Sequence, residues 1–201
     1  PMPAPFRFCD DADMAEQPCG VSYRAFVFHN LREAATRRYG AEVWSRVEAR
    51  LGSDAALFLP KTRLPVAWLP VEPHARALAL LASMAASGKP TDAVELGRLR
   101  AAVDINSFFR YVLAFASPDL VLTLGASIWT QYTTHGPLRI ERVPTGAHAR
   151  VAMPLSDLFL LHDLGGAMLA FLEHSKAKRP SLVACDLEGQ GQLHWEFAWQ
   201  S

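Results

Sequence analysis

The sequence predicts an α+β protein in which an N-terminal helical part packs on a C-terminal four-stranded, largely antiparallel sheet. Apolar residues recur at helical spacing from about residue 21 to residue 133, and they alternate with polar residues in two later hairpins. One amphipathic helix separates the two hairpins. The resulting order β-β-α-β-β places the helices on the apolar side of the sheet.

Glycines delimit the first two predicted helices. Apolar residues recur at helical spacing over 21–39, and Gly40 follows where a left-handed cap would end the helix. A second helix is predicted over 41–51, because its apolar residues share one face and Gly52 follows. The two segments are predicted to form a helical hairpin.

Prolines make the segment 60–73 an extended connector, because their rings exclude a regular helix. The apolar residues around Trp68 predict that this connector packs across the core. Helical signals resume after it, since Pro, Asp or Thr-Asp opens each of the next apolar stretches. These predicted helices span residues 74–87, 91–102, 104–116 and 118–133.

Beyond His135-Gly136-Pro137 the apolar period changes from helical to two. Strands are predicted at 138–143 and 147–153, joined by the turn Pro144-Thr145-Gly146. A second hairpin turns at residues 188–191 and ends in a strand with one continuous apolar face. That face consists of Leu193, Trp195, Phe197 and Trp199.

The helix between the hairpins is predicted from Ser156, its N-cap, to about His174. Gly165 and Gly166 lie inside it, although each glycine costs a helix roughly 1 kcal/mol relative to alanine. The pair therefore predicts a close approach of this helix to the sheet or to a partner chain. Room for a ligand is the alternative interpretation.

The composition predicts a globular chain without nucleic-acid partners. Among its 201 residues, 20 Lys and Arg balance 20 Asp and Glu, so the net charge provides no long-range attraction to nucleic acid or anionic lipid. Half of the residues are apolar, but charges interrupt the apolar stretches, and no membrane insertion is expected. Residues 1–19 are interpreted as a flexible acidic tail, and residues 20–201 as a single domain.

The cysteines favour a reducing, cytoplasmic setting. Three cysteines occur, an odd number without metal-ligand spacing, and no segment has the features of a signal peptide. The seven histidines are spread over separate elements without His-x-x-x-His spacing. Nucleophile elbows, Walker loops and dinucleotide fingerprints are also absent from the sequence. The sequence therefore predicts no metal site and no catalytic residue.

The positions of Gly, Trp and Tyr resemble those of a known superfamily. Gly20-Val21, Tyr39-Gly40 and Val43-Trp44 are similar to the opening of heme-NO-binding domains. The segments Trp68-Leu69-Pro70 and Trp129–Tyr132, with the closing Trp199, resemble a myxobacterial paralogous family of unknown function. That family is related to heme-NO-binding and 4-vinyl reductase-type domains, whose superfamily includes Golgi-transport adaptor subunits. The resemblance covers most of residues 20 to 200 and implies a heme-NO-binding-like fold.

The residues that hold heme in those relatives are missing here. The resemblance implies an iron-ligating histidine on the helix before the first hairpin and a Tyr-x-Ser-x-Arg motif for the propionates. The corresponding helix reads Ala126 to Tyr132 without histidine, and residues 147–155 lack the motif. His135 could be a displaced ligand, but beside Gly136 it is interpreted as a turn residue. The sequence therefore argues against heme.

Aromatic residues are the remaining candidates for a binding site. Core packing accounts for most of them, but related folds place a pocket between the helices and the sheet, where such rings would line it. The predicted ligand-binding residues are Trp68, Phe109, Trp129, Tyr132 and His135.

Three functions remain open at this point. The first is a non-enzymatic sensory or regulatory domain that binds a small apolar molecule or a protein partner. The second is a structural adaptor or homodimerisation module, by analogy with the Golgi-transport members of the superfamily. The third, and least favoured, is an enzyme that uses His74 or His135.

Overall fold

A short strand and a run of helices open the part of the chain that the computed structural model describes, namely residues 20–59, 65–105, 111, 113–134, 136–152, 157–188 and 192–200. The predicted tail, 1–19, lies outside these residues. Strand β1 (Ser22–Arg24) leads directly into helix α1 (Ala25–Tyr39), and Gly40 separates α1 from α2 (Ala41–Leu51). Gly40 has φ 90° and ψ 159°, so it ends α1 with positive φ but not as the left-handed cap that was predicted.

The later elements follow the predicted order. A 3-10 helix (Gly52–Phe58) follows α2. The further helices are α3 (Glu72–Ala85), α4 (Asp92–Asp104), α5 (Pro118–Tyr132) and α6 (Leu158–Glu173). The further strands are β2 (Trp68–Pro70), β3 (Arg139–Val143), β4 (Gly146–Ala152), β5 (Lys178–Glu188) and β6 (Gln192–Gln200). Among the described residues of the predicted helix 104–116, residues 104, 111 and 113–115 are helical.

The four C-terminal strands form an antiparallel sheet in the order β3-β4-β6-β5. Its inner face is apolar because alternate residues of β4 and β6 point toward the helices. The fully buried members of this face include Ala147, Ala149, Leu193, Trp195 and Phe197. The predicted fold class, α+β with a β-β-α-β-β C-terminal part, is confirmed.

Helix α6 lies close to both the sheet and α4 because it carries glycines at the contacts. A Cβ atom on Gly165 would lie 2.8 Å from the Trp195 ring, and one on Gly166 would lie 1.9 Å from the Val94 carbonyl oxygen. From the α4 side, a Cβ on Gly97 would lie 1.9 Å from the backbone oxygen of Asp163. Close packing, the favoured interpretation of the glycine pair, therefore describes both glycines.

The connector differs from its prediction. Instead of only crossing the core, it forms β2, which pairs with β1 in a two-stranded antiparallel sheet. Leu69 is buried, whereas Val66 is 64% exposed. Strand β1 also bridges to the end of α5, because Tyr23 pairs with Thr133. The pairing of such short strands depends on the tertiary arrangement more than on local pattern.

An aspartate caps the N-terminus of α6. The N-cap of α6 is Asp157, whose side chain accepts a hydrogen bond from the Leu160 amide at 3.0 Å. The predicted cap, Ser156, lies outside the described residues.

Among the described helices, none is both long enough and apolar enough to cross a membrane.

Candidate functional site

A cavity of about 110 Å³ lies between the helices, next to β1. Most of its wall is apolar, and a few polar side chains stand at one part of it. The lining residues are Tyr23, Val27, Arg100, Asp104, Leu113, Val121, Leu124, Gly125, Trp129, Tyr132, Thr133, Leu138, Leu164, Ala167, Met168 and Phe171.

Helix α5 contributes one wall through residues four apart. Val121, Gly125 and Trp129 therefore lie on one face of the helix, and all three line the cavity. Trp129 is buried, and its indole Nε1 donates a hydrogen bond to the Gly136 carbonyl at 3.0 Å. A Cβ on Gly125 would meet no atom within 4 Å. The glycine thus leaves open space in the middle of this wall.

Two tyrosines stand near the polar part of the cavity. The Tyr132 ring packs edge-on against the Phe26 ring, with the centroids 4.9 Å apart, and burial raises the pKa of Tyr132 to about 12. Tyr23 of β1 packs edge-on against His74, with the centroids 5.4 Å apart. Burial raises the pKa of Tyr23 far above its ordinary value, so both phenols stay protonated at neutral pH.

A buried charge cluster lies beside the cavity and joins three helices. Arg100 of α4 donates from Nε and Nη2 to the two carboxylate oxygens of Asp163 in α6, at 3.2 and 2.9 Å. Nε2 of His74 in α3 lies 3.4 Å from Oδ2 of Asp163. The side chains of His74 and Asp163 are 0% exposed and that of Arg100 is 3% exposed. Two-point pairing is the geometry in which a buried guanidinium and carboxylate stabilise each other most.

The cluster fixes the charge state of its members. Burial alone would raise the pKa of Asp163, but Arg100 and His74 together hold that pKa below its ordinary value. Burial lowers the pKa of His74, against the hydrogen bond and charge of Asp163. His74 is therefore a neutral ring at neutral pH, while Arg100 and Asp163 form an ion pair.

Asp104 extends this cluster to the cavity wall. Its side chain is 6% exposed, and its Oδ1 accepts a hydrogen bond from Asn30 Nδ2. Oδ2 has no hydrogen-bond partner among the described residues, and Nη1 of Arg100 lies 3.9 Å from it. Burial raises the pKa of Asp104 to about 6, although Arg100 and Asn30 oppose the rise. Asp104 is thus a largely ionised carboxylate at neutral pH, in an almost apolar wall.

The structure brings together two of the five predicted site residues. Trp129 and Tyr132 both line the cavity. Trp68 lies in β2 instead, where the Arg24 guanidinium stacks 3.7 Å from the centre of its ring. Phe109 and His135 lie outside the described residues.

Sequence reasoning missed Arg100, Asp104 and Asp163. A signal for Asp163 was present, because a charged residue in the middle of the apolar helix Leu158–Glu173 needs a buried partner.

The comparisons with known proteins concern the fold. No protein-family model matches the chain, and no curated protein matches its sequence. Solved structures do match. An oxygen-binding H-NOX domain related to soluble guanylate cyclases has 11% identity and a TM-score of 0.61, over 89% of this chain and 95% of that chain.

Two further solved structures have the same architecture. An H-NOX protein from S. oneidensis in the Fe(II)NO ligation state has 14% identity and a TM-score of 0.63, over 89% of this chain and 99% of that chain. A structure that probes heme distortion in the H-NOX family has 9% identity and a TM-score of 0.65, over 89% and 95% of the two chains. At these identities the likeness concerns the backbone arrangement alone.

The described cavity residues fit poorly with an iron-bound porphyrin. Among the described residues that line the cavity there is no histidine or cysteine, the side chains that most often ligate heme iron. Arg100, the guanidinium in the wall, is already bound at two points by Asp163. The backbone arrangement, by contrast, is similar to that of the H-NOX structures: the chain has a heme-NO-binding-like fold.

Proposed function

We propose that the chain is a non-enzymatic sensory or regulatory domain that binds a small apolar molecule in this cavity, without heme. The observation that supports the proposal is the apolar cavity of about 110 Å³ between α5 and α6. An engineered cavity of about 150 Å³ in another protein binds benzene or xenon, so a ligand of that size class is expected. A porphyrin, with four pyrrole rings, is several times larger.

A segment that lines the cavity and also carries exposed aromatic residues supports a regulatory role. Leu113 lines the cavity, while Tyr111 and Phe115, two residues to either side, are 72% and 77% exposed. A ligand that contacts Leu113 would shift the exposed aromatic side chains of the same segment. Exposed aromatic rings are typical of surfaces that bind other proteins.

A non-enzymatic role also agrees with the surroundings of His74. Its side chain is fully buried against Asp163, and it faces the rings of Tyr23 and Phe28. A general base must reach its substrate within hydrogen-bond distance, and such burial leaves a substrate no room beside His74. A cytoplasmic location belongs to this proposal, since the free thiol of Cys185 suits a reducing compartment.

A second candidate function is an adaptor or homodimer that works through the same exposed surface. The observation in its favour is the exposure of Tyr111, Phe115 and Leu120, three large apolar residues close in sequence. Light scattering of the wild type and of Phe115→Ser distinguishes the two functions. A dimer that Phe115→Ser converts to a monomer, together with no ligand binding, supports the adaptor.

Titration with toluene tests the ligand-binding proposal. Toluene should shift the NMR signal of the Trp129 indole N–H, because that ring lines the cavity. Gly125→Leu should abolish the shift by filling the open space on α5. Ser127→Leu is the matched control, because it adds the same side chain at an exposed position of the same helix. Equal toluene binding by Gly125→Leu and the wild type contradicts the proposed site.

The heme-free part of the proposal has its own test. The protein purified from its host should lack the Soret absorption band, and addition of hemin should leave the NMR signals of the cavity residues unchanged. A sharp Soret band that Gly125→Leu removes would instead assign heme to this cavity.

A further inference from the structure

The polar part of the cavity points to the chemical class of its ligand. Asp104 lines the cavity, and its Oδ2 is buried and has no hydrogen-bond partner among the described residues. A buried oxygen that accepts no hydrogen bond destabilises the fold, so a donor supplied by a ligand would stabilise it. We infer that the cavity selects a small apolar molecule carrying one hydroxyl group, an alcohol or a phenol, whose hydroxyl binds Asp104.

The neighbouring guanidinium favours a hydroxyl over other donors. Nη1 of Arg100 lies 3.9 Å from Oδ2 of Asp104, which is too long for a direct hydrogen bond. A hydroxyl can both accept and donate, so an oxygen placed beside the two groups accepts from Nη1 and donates to Oδ2. Both hydrogen bonds would then be charge-assisted, and therefore short and strong.

The alternatives match this pair of groups less well. A protonated amine donates to Asp104 but is repelled by Arg100, and it loses the hydration of a full charge on entering an apolar cavity. A carboxylate faces two aspartates, and Arg100 already binds Asp163 through Nε and Nη2. A plain hydrocarbon fills the cavity but leaves Oδ2 without a donor. Of these four classes of ligand, only the hydroxyl compound satisfies both polar groups without burying a new charge.

The apolar walls determine the character and the size of the rest of the ligand. Val121, Trp129, Leu164, Met168 and Phe171 surround the space with carbon atoms and one thioether. Such walls favour an aliphatic or aromatic body, and the cavity volume of about 110 Å³ limits that body to about one ring.

The inference rests on the proposed function, and three related probes separate the two. Toluene, benzyl alcohol and benzylamine have the same ring and differ in the group that would face Asp104. Calorimetric titration of the wild type should give benzyl alcohol an affinity about 10- to 100-fold higher than that of toluene. Benzylamine should bind more weakly than benzyl alcohol.

Each other result overturns one specific claim. If toluene binds as tightly as benzyl alcohol, the hydroxyl inference fails while the apolar cavity remains the ligand site. Tighter binding of benzylamine also overturns the inference, because the site would then select a cation. If none of the three probes binds, the proposed function itself fails.

A substitution assigns the effect to its residue. Asp104→Asn removes the charge and should reduce the preference for benzyl alcohol over toluene to about threefold or less. Glu42→Gln, at an exposed position of α2, is the control and should keep the wild-type preference. An unchanged preference in Asp104→Asn overturns the assignment. If Asp104→Asn does not fold, the affinity ratios of the wild type still decide the inference.

Discussion

The two faces of α6 differ in how they pack. On the face toward α4, Gly166 touches the α4 backbone and Asp163 is held by Arg100. On the other face, Leu164 and Met168 border a cavity. The same helix is therefore closed by backbone contacts and an ion pair on one side and left with free space on the other.

The difference indicates which part of the molecule can respond to a ligand. Backbone contacts and a buried ion pair have one favourable arrangement and resist displacement. Side chains that border a cavity can change rotamer at little cost, because they lack partner atoms on one side. We therefore expect the closed face to hold α6 in place, while the open face rearranges around a ligand.

The largest expected effect comes from breaking the closed face. Asp163→Asn removes the carboxylate that binds the buried Arg100 at two points, which should lower the free energy of unfolding by about 3–5 kcal/mol. Urea denaturation measures the loss. Asp186→Asn is the control, because Asp186 lies at an exposed position of β5. It should change the free energy of unfolding by less than about 0.5 kcal/mol. A loss as small as that of the control would mean that the ion pair does not hold the closed face.

The sequence predicted the regular elements of both faces well. The bounds of α2 and the pairing of the C-terminal strands depend on local periodicity and on turns, and both were found. Gly165 and Gly166 also predicted the close contact, because a glycine inside a helix needs a spatial reason. Strands β1 and β2 were missed, since each has three residues and their pairing joins positions far apart in sequence, such as Ser22 and Pro70.

The candidate site was less predictable for a physical reason. Trp129 and Tyr132 were selected as aromatic rings, and they line the cavity. The pair of Arg100 and Asp163 spans 63 residues, so sequence spacing gives no indication of it. The neighbour of Asp163 in sequence is His162, but its partner in the fold is Arg100. The cavity itself is space left between β1 and several helices, and no local pattern encodes such a space.

The pH dependence of stability tests the charge of Asp104 in the cavity wall. The folded pKa of Asp104 is about 6 and its ordinary value is 3.8, so between these pH values the folded state keeps a proton that the unfolded state has lost. Asp104 should therefore destabilise the fold as pH rises from about 4 to 6, by up to about 3 kcal/mol.

The difference between the wild type and Asp104→Asn isolates this effect. His74 acts in the opposite direction, because its lowered pKa reduces stability as pH falls below its ordinary value of 6.5, but it is present in both proteins. Urea denaturation at several pH values should show the wild type losing stability relative to Asp104→Asn as pH rises. Parallel curves would mean that Asp104 is not buried as described.

A methyl group added to the closed face should also destabilise the protein. The Cβ of Gly166→Ala would lie 1.9 Å from the Val94 carbonyl oxygen, so α4 and α6 must move apart. Forced overpacking of this kind should cost about 1–3 kcal/mol, despite the better helix propensity of alanine. The shift in thermal midpoint measures this loss.

The same methyl group on α5, at the cavity wall, should have a smaller effect of opposite sign. The Cβ of Gly125→Ala would meet no atom within 4 Å, so no contact opposes the gain in helix propensity. We expect stability to rise by about 0.5–1 kcal/mol, measured by urea denaturation beside Gly166→Ala. Because Gly125 borders the cavity, the same variant should bind toluene more weakly while it unfolds at a higher urea concentration. A loss of stability in Gly125→Ala would mean that this wall of the cavity is packed as tightly as the contact between α4 and α6.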